Sequence, residues 1–151
     1  MNVLQSLTAA ECWELLAMHE VGRVAFSERA LPAILPVNYV LDGQRIMLRC
    51  RAEGLAQRLN GQVVAFEVDD VDRFEQRGWS VVVVGTATLL THTGDLTRTD
   101  ALPQTWAGPD HQTVVRITVG DIQGRRLLGQ VPSVELLDPD RLAAGQMSSR
   151  A

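Results

Sequence analysis

Apolar and polar residues alternate along most of the chain with a period of two, which is typical of half-buried β-strands. Segments with this pattern are separated by glycine, proline and aspartate, the residues that favour turns. The pattern predicts about six strands, at 22–27 (GRVAFS), 33–41 (AILPVNYVL), 44–50 (QRIMLRC), 63–70 (VVAFEVDD), 79–90 (WSVVVVGTATLL) and, as one strand or two, 113–128 (TVVRITVGDIQGRRLL). Asp42 and Gly43 predict a two-residue hairpin between the second and third strands.

The alternation also predicts which side chains share a face of each strand. In the third strand Ile46, Leu48 and Cys50 lie on one face, and Arg45, Met47 and Arg49 lie on the other. In the last strand Val115, Ile117 and Val119 face inward. The run of four valines at 81–84 predicts burial on both faces of its strand.

Helices are few and short. Thr8 and Glu11 have the spacing of a capping box and predict a helix that continues to about Met18. Segment 52–60 (AEGLAQRLN) predicts a short helix that stops at Gly61, and 94–102 predicts one or two further helical turns.

Strands and helices do not alternate regularly, which excludes a sheet built from parallel βαβ units. We therefore predict a mainly β, single-domain fold: one closed or nearly closed antiparallel barrel of about six strands with two or three short peripheral helices. Closure or dimerisation would protect the edge strands. The domain is predicted to span residues 1–131, and residues 132–151 are predicted to form a loosely held tail.

Composition narrows the class of protein. The chain has 151 residues, a net charge of −4 and a pI of about 5.3, so neither nucleic acid nor an anionic membrane is an expected partner. The N-terminus lacks the pattern of a signal peptide, and a cytoplasmic location is expected. Cys12 and Cys50 are isolated and are expected to be buried, reduced thiols. All 14 basic residues are arginine, which excludes lysine chemistry.

The motifs of common enzyme classes are missing. Segment 78–82 (GWSVV) lacks the second glycine of a hydrolase nucleophile elbow, and no phosphate-binding glycine loop occurs. His19, His92 and His111 are far apart in the sequence, and the aspartates at 69, 70 and 72 are more typical of a solvated turn than of a cation site. No metal site is predicted.

One pattern does indicate a ligand. Arg49 stands at the end of the third strand and is followed by Arg51 and the start of a helix. Arginine together with the N–H groups of a helix start suits a phosphate group. The alternative is that these arginines only solvate the edge of a strand, and the spacing does not decide between the two.

Five blocks in the same order make the sequence from about Leu7 to Leu128 resemble one family, the pyridoxamine 5'-phosphate oxidase-like flavoproteins with an FMN-binding split β-barrel. The blocks are ECWELL with VGRVAFS, PVNYVLDG with LRC, VVAFEVDD, GWSVVVVGTA and VVRITVGDIQGRRL. The resemblance is closest to small actinobacterial members. It implies a split barrel that forms a homodimer, with two FMN sites at the subunit interface.

The resemblance also implies roles for particular residues. Residues near the flavin ring are Pro36, Val37, Asn38 and Tyr39, with Trp79 and Ser80 as further contacts. Arg49 binds the phosphate, next to Cys50 and Arg51.

Two positions differ from the family pattern. Cys50 replaces the usual threonine, and the usual lysine falls near Leu55. Arg51 or Arg58 would then have to restore the missing charge.

The function that follows is an FMN-dependent oxidoreductase, similar to flavin reductases, which acts on an unidentified small molecule. Pyridoxine phosphate is not the expected substrate, because the segment after Leu128 lacks the arginine-and-histidine motif of the vitamin-forming oxidases. Two alternatives stay open. One is a deazaflavin-dependent reductase on the same fold. The other is a non-catalytic barrel that carries a cofactor such as haem or serves as an interaction module.

Overall fold

The structure is a computed structural model, and it describes residues 3–50, 54–90 and 113–129. These residues form seven strands and two helices. The strands are β1 (Val3–Leu7), β2 (Val21–Glu28), β3 (Leu31–Asp42), β4 (Arg45–Cys50), β5 (Val63–Asp72), β6 (Arg77–Leu90) and β7 (Thr113–Leu128), and the helices are α1 (Ala9–Ala17) and α2 (Leu55–Leu59). The predicted helix at 94–102 and the predicted tail at 132–151 lie outside the described residues.

All strand pairings are antiparallel, and they close into a barrel. The sheet order is β1-β7-β4-β3-β2-β5-β6, and β6 pairs with β7 to complete the ring. Strand β7 pairs with β4 through its first residues, with β1 through its last residues, and with β6 along most of its length. The mainly β, antiparallel split-barrel prediction is confirmed.

Strand β1 was not predicted, which makes the strand count seven instead of about six. Its residues Val3–Ser6 are exposed, so the segment carries no apolar alternation that would mark it as a strand. The strand exists because its backbone pairs with the free edge of β7, from Val3 opposite Leu128 to Leu7 opposite Gly124. A contact between segments more than 110 positions apart leaves no local sequence signal.

The barrel interior is a single apolar cluster to which every strand except β1 contributes buried residues. Val115 and Ile117 are fully buried and Val119 packs against the cluster, as predicted. The prediction for the valine run is wrong, because Val82 and Val84 are 40% and 39% exposed while their neighbours in the run are buried. At β6, therefore, the inner face of the barrel wall is covered and the outer face is not.

Helix α1 lies against the barrel. Its predicted capping box is present: the Glu11 N–H donates to Thr8 Oγ1 at 3.3 Å, and the Thr8 N–H donates to Glu11 Oε2 at 2.8 Å. The hydroxyl of buried Tyr39 donates to the Leu16 carbonyl and ties the helix to the core. Close packing requires glycine at position 124 of β7, because a Cβ there would lie 2.5 Å from Cys12 Sγ.

The turns differ in detail from the prediction. Asp42 pairs with Arg45, so the two residues of the β3–β4 turn are Gly43 and Gln44 instead of Asp42 and Gly43. Gly43 has φ of +60°, a conformation that favours glycine. The β5–β6 connection is shorter than predicted, because the strands continue to Asp72 and resume at Arg77.

Among the described residues, no helix is long and apolar enough to cross a membrane. The cytoplasmic location stays a prediction.

The β2–β3 turn generates a stability prediction. Arg29 and Ala30 both have positive φ, +50° and +64°, as a type I′ turn requires, and neither is glycine or asparagine. A left-handed conformation costs a non-glycine residue about 1–2 kcal/mol, part of which glycine loses again through the entropy of the unfolded chain. Ala30→Gly should therefore stabilise the protein by about 0.5–1 kcal/mol, measured as a higher urea midpoint.

The control for this measurement is Gly43→Ala, which places a side chain at φ of +60° in the other two-residue turn and should lower the urea midpoint. A lower midpoint for Ala30→Gly would contradict the strain assigned to this turn.

Candidate functional site

The outer faces of strands β3, β4 and β7 bring together four residues, which we call the arginine face: Asn38, Met47, Arg49 and Arg116. Asn38 lies directly opposite Arg49, and Met47 lies directly opposite Arg116. Arg49 and Met47 are two positions apart on β4 and therefore point to the same side. Arg116 is thus a diagonal neighbour of Arg49, at roughly 7–8 Å between Cα atoms.

The two arginines of this face are half-buried, and neither has a charged partner in the described part of the chain. The Nε atoms of Arg49 and Arg116 are both buried and make no hydrogen bond there. Met47, between them, is fully buried although it lies on the outer side. Half-buried cations normally pair with carboxylates or bind anions, because removal of a charge from water is costly.

Three acidic residues of the outer surface take part in other interactions. Arg23 Nη1 lies 3.1 Å from Glu67 Oε2 and 2.8 Å from Asp69 Oδ1. Asp42 lies at the far end of β3 and also takes part in an interaction. The arginine face is therefore suited to bind an anion.

The predicted ring contacts at 36–39 divide between the two sides of β3. Pro36 and Asn38 lie on the outer side, where Asn38 belongs to the arginine face. Val37 and Tyr39 are buried in the core, 7% and 1% exposed. Of these four residues, only Pro36 and Asn38 present their side chains to a ligand on the outer surface.

Cys50 and Leu55 are core residues. Cys50 points to the opposite side of β4 from Arg49 and is 3% exposed, and burial raises the pKa of its thiol from 9.0 to about 11. Leu55 begins α2 and is 2% exposed, so a lysine there would be buried. The side chains at both positions therefore lie in the core and not on the arginine face.

Of the two arginines expected to restore the missing charge, the structure describes only Arg58. Arg58 Nη1 lies 3.2 Å from Glu28 Oε2, and this ion pair uses its charge locally. Arg51 lies outside the described residues.

Trp79 and Ser80 line clefts at one end of the barrel instead of the arginine face. Trp79 lines a cleft of about 890 Å³, and both residues line a neighbouring cleft of about 590 Å³. Strands β2 and β5 separate Ser80 on β6 from Asn38 on β3, so about 14 Å of sheet lies between them at the usual strand spacing.

The structure adds a histidine to the surroundings of Trp79. The rings of His19 and Trp79 meet edge to face, 4.9 Å apart. His19 Nδ1 lies 3.1 Å from the Leu15 carbonyl, which can only accept, so Nδ1 carries the proton. Nε2 faces Asp70 Oδ2 at 3.9 Å. Trp79 thus links the wall of the cleft to His19 and Asp70.

Sequence reasoning missed Arg116 and the His19–Asp70 pair. The only signal for Arg116 was its polar position between the apolar residues Val115 and Ile117, and its cross-strand neighbours depend on the β4–β7 register. His19 and Asp70 are 51 positions apart in the sequence, one just after α1 and the other near the end of β5, and only the tertiary fold brings them together.

The model of the pyridoxamine 5'-phosphate oxidase family matches residues 8–126, most of the chain. The chain belongs to this family. The match runs from the N-cap of α1 to the last part of β7, so it includes every strand of the closed barrel and the arginine face. The resemblance found in the sequence is confirmed.

Known proteins similar to this family member include an uncharacterized protein of Mycobacterium tuberculosis, Rv0080, which is 38% identical over 124 residues, 78% of this chain and 82% of the relative. A conserved protein of unknown function from Corynebacterium diphtheriae has a similar structure, with a TM-score of 0.69, 30% identity, and coverage of 83% of this chain and 98% of the other. The FAD binding protein from Mycobacterium smegmatis gives a TM-score of 0.64 at 27% identity, covering 82% of this chain and 98% of that protein.

The buried Cys50 thiol generates a prediction of pH dependence. Its raised pKa means that the folded protein holds the thiol proton up to about pH 11, whereas the unfolded chain begins to release it near pH 9. The unfolded state then binds fewer protons, so stability falls as the pH rises through this window, by at most about 3 kcal/mol. In Cys50→Ala the free energy of unfolding should decrease less between pH 9 and 11.

The measurement compares slopes of unfolding free energy against pH, since the cavity left by alanine lowers the stability of the variant at every pH. Cys12 is present in both proteins and serves as the internal control. Equal slopes would show that Cys50 does not titrate abnormally.

Proposed function

We propose that the protein binds a flavin nucleotide, FMN in the first instance, and acts as a flavin-dependent oxidoreductase on a small molecule. The observation that carries the proposal is the arginine face, where Arg49 offers a half-buried guanidinium with an unbonded Nε beside the amide of Asn38. The family and the FAD-binding relative of similar structure support a flavin as the ligand.

The residues present fit such a ligand. A flavin nucleotide combines a planar ring, which offers hydrogen-bonding edges, with a phosphate of charge near −2. Arg49 supplies the charge and the donor geometry for the phosphate. The Asn38 amide both donates and accepts, and so can pair with a ring edge or a ribityl hydroxyl.

When bound, the flavin supplies the redox chemistry, and the protein binds and orients it. In this chain Arg49 would hold the phosphate, Asn38 would orient the adjoining part of the cofactor, and the buried Met47 would exclude water from the base of the site. No side chain needs to act as a nucleophile, which agrees with the missing enzyme motifs. The substrate is unassigned.

We also propose that the active form is a homodimer. One cross-strand row on the outer surface is apolar across four strands: Ile34 pairs with Ala25, Ala25 with Ala65, and Ala65 with Val84. Ile34 is 65% exposed and Val84 39% exposed. A continuous apolar row on the outside of a barrel is typical of a surface that another protein covers. The row lies next to Pro36, at the edge of the proposed flavin site.

The flavin proposal predicts saturable binding of one FMN per chain at or below micromolar concentration. Arg49→Gln should weaken FMN binding by about 10- to 100-fold, because a hydrogen bond to a charged group contributes roughly 1.5–3 kcal/mol. Riboflavin, which has no phosphate, should bind the parent protein and the variant equally. The measurement is flavin fluorescence during titration of cofactor-stripped protein.

The control for Arg49→Gln is Arg73→Gln, which removes the same charge from the exposed β5–β6 turn and should leave both affinities unchanged. Absence of any flavin binding by the parent would refute the proposed function. Equal losses of FMN and riboflavin affinity would refute the role of Arg49 in phosphate binding.

The dimer proposal predicts that Val84→Glu converts the protein to a monomer, because a carboxylate in an apolar interface loses its hydration without a partner. Sedimentation velocity at micromolar concentration measures the change. Met18→Glu is the control: Met18 is 69% exposed at the C-cap of α1, away from the row, and its replacement should leave the dimer intact. A parent protein that sediments as a monomer would rule the dimer out.

A further inference from the structure

Arg116 has no role in the function proposed above, although it shares the position and environment of Arg49. Both side chains project from the outer face of the same antiparallel pair, β4 and β7, on either side of Met47. Both are half-buried, and both have a buried Nε without a hydrogen-bond partner. The reasons for regarding the Arg49 guanidinium as a ligand-binding group therefore apply equally to the Arg116 guanidinium.

The charge balance of the pair calls for an anion. Two like charges at diagonal positions of a sheet repel each other, and partial burial strengthens the repulsion because the local dielectric is lower than in water. Within the described residues, neither arginine forms an ion pair, whereas Arg23, Arg58, Arg77 and Arg126 each lie within 4 Å of a carboxylate. A dianion between the two side chains would remove the repulsion and accept hydrogen bonds from both guanidinium groups.

We propose that Arg116 is a second phosphate-binding residue, which together with Arg49 forms a two-arginine site for the phosphate group of the flavin nucleotide. This inference rests on the proposed function. Arg116 would then supply the second positive charge that a chain without lysine must find elsewhere.

Among the described residues, the other candidate positions for the second charge are less suited to supply it. Leu55 is in the core, Arg58 is paired with Glu28, and Arg45 is exposed at the turn end of β4, where water solvates its charge. The diagonal spacing of Arg49 and Arg116 suits long side chains that converge on one group, since each guanidinium can reach several ångströms from its Cβ.

The experiment measures FMN and riboflavin affinities by flavin fluorescence for the parent, Arg49→Gln, Arg116→Gln and the double variant. We expect Arg116→Gln to weaken FMN binding by at least 10-fold and to leave riboflavin binding unchanged. The double variant should bind FMN no better than riboflavin, because no positive charge would face the phosphate. Arg116→Lys should retain more FMN affinity than Arg116→Gln, since it keeps the charge.

Arg73→Gln again controls for loss of net charge. Parent-like FMN affinity in Arg116→Gln would overturn the inference. Equal losses of FMN and riboflavin affinity would also overturn it, since they would mean that Arg116 supports the fold of the site instead of touching the phosphate.

A second measurement separates this inference from the proposed function. Inorganic pyrophosphate and phosphate should raise the melting temperature of the parent and raise it less in Arg49→Gln and Arg116→Gln. If the parent binds no flavin but shows this arginine-dependent stabilisation, the proposed function fails and the two-arginine anion site stands. If phosphate and pyrophosphate stabilise all the variants equally and no flavin binds, both proposals fail.

Discussion

The pairing of β7 with three other strands is the constraint on which the rest of the structure depends. One edge of β7 is shared by β4 and β1, and the other edge pairs with β6 and closes the barrel. A register shift between Val84 and Gly85 accommodates the closure, and a Cβ at Gly85 would collide with the backbone of Thr118. Because strand faces alternate, the β4–β7 register also decides that Arg116 lies beside Met47 on the outside, and not in the core.

The same alternation divides each sequence motif between stability and binding. In β4, Arg49 faces outward, whereas Cys50 packs in the core with a raised pKa. In β3, Asn38 joins Arg49, whereas Tyr39 is buried and bonded to the Leu16 carbonyl. A comparison of sequence motifs treats residues that are adjacent along the chain as parts of one site. The barrel wall separates them, so a threonine-to-cysteine difference at position 50 changes the core more than it changes the ligand surface.

Local features of this fold could be predicted from the sequence, and non-local ones could not. Six strands, the capping box of α1 and the two faces of β4 follow from periodicity and spacing within a few residues. Strand β1 and the exposure of Val82 and Val84 depend on what lies across the sheet or outside the barrel. Of the candidate site, Arg49 was found from its place at the end of a strand before a helix start, and Asn38 because a family resemblance pointed to it. Arg116 belongs to a strand more than 60 positions further along and becomes their neighbour only through strand pairing.

The complete absence of lysine gives the arginine face a particular chemistry. A lysine holds a phosphate as a flexible point charge, whereas an arginine presents a planar fork whose direction is set by its stem. Here the aliphatic part of each arginine starts from a paired strand and lies next to the buried Met47. The two guanidinium groups are therefore oriented before a ligand binds. Pre-orientation reduces the entropy lost on binding. If Arg116 binds the phosphate as proposed, the β4–β7 register supplies the second positive charge that the resemblance assigns to a lysine near the position of Leu55.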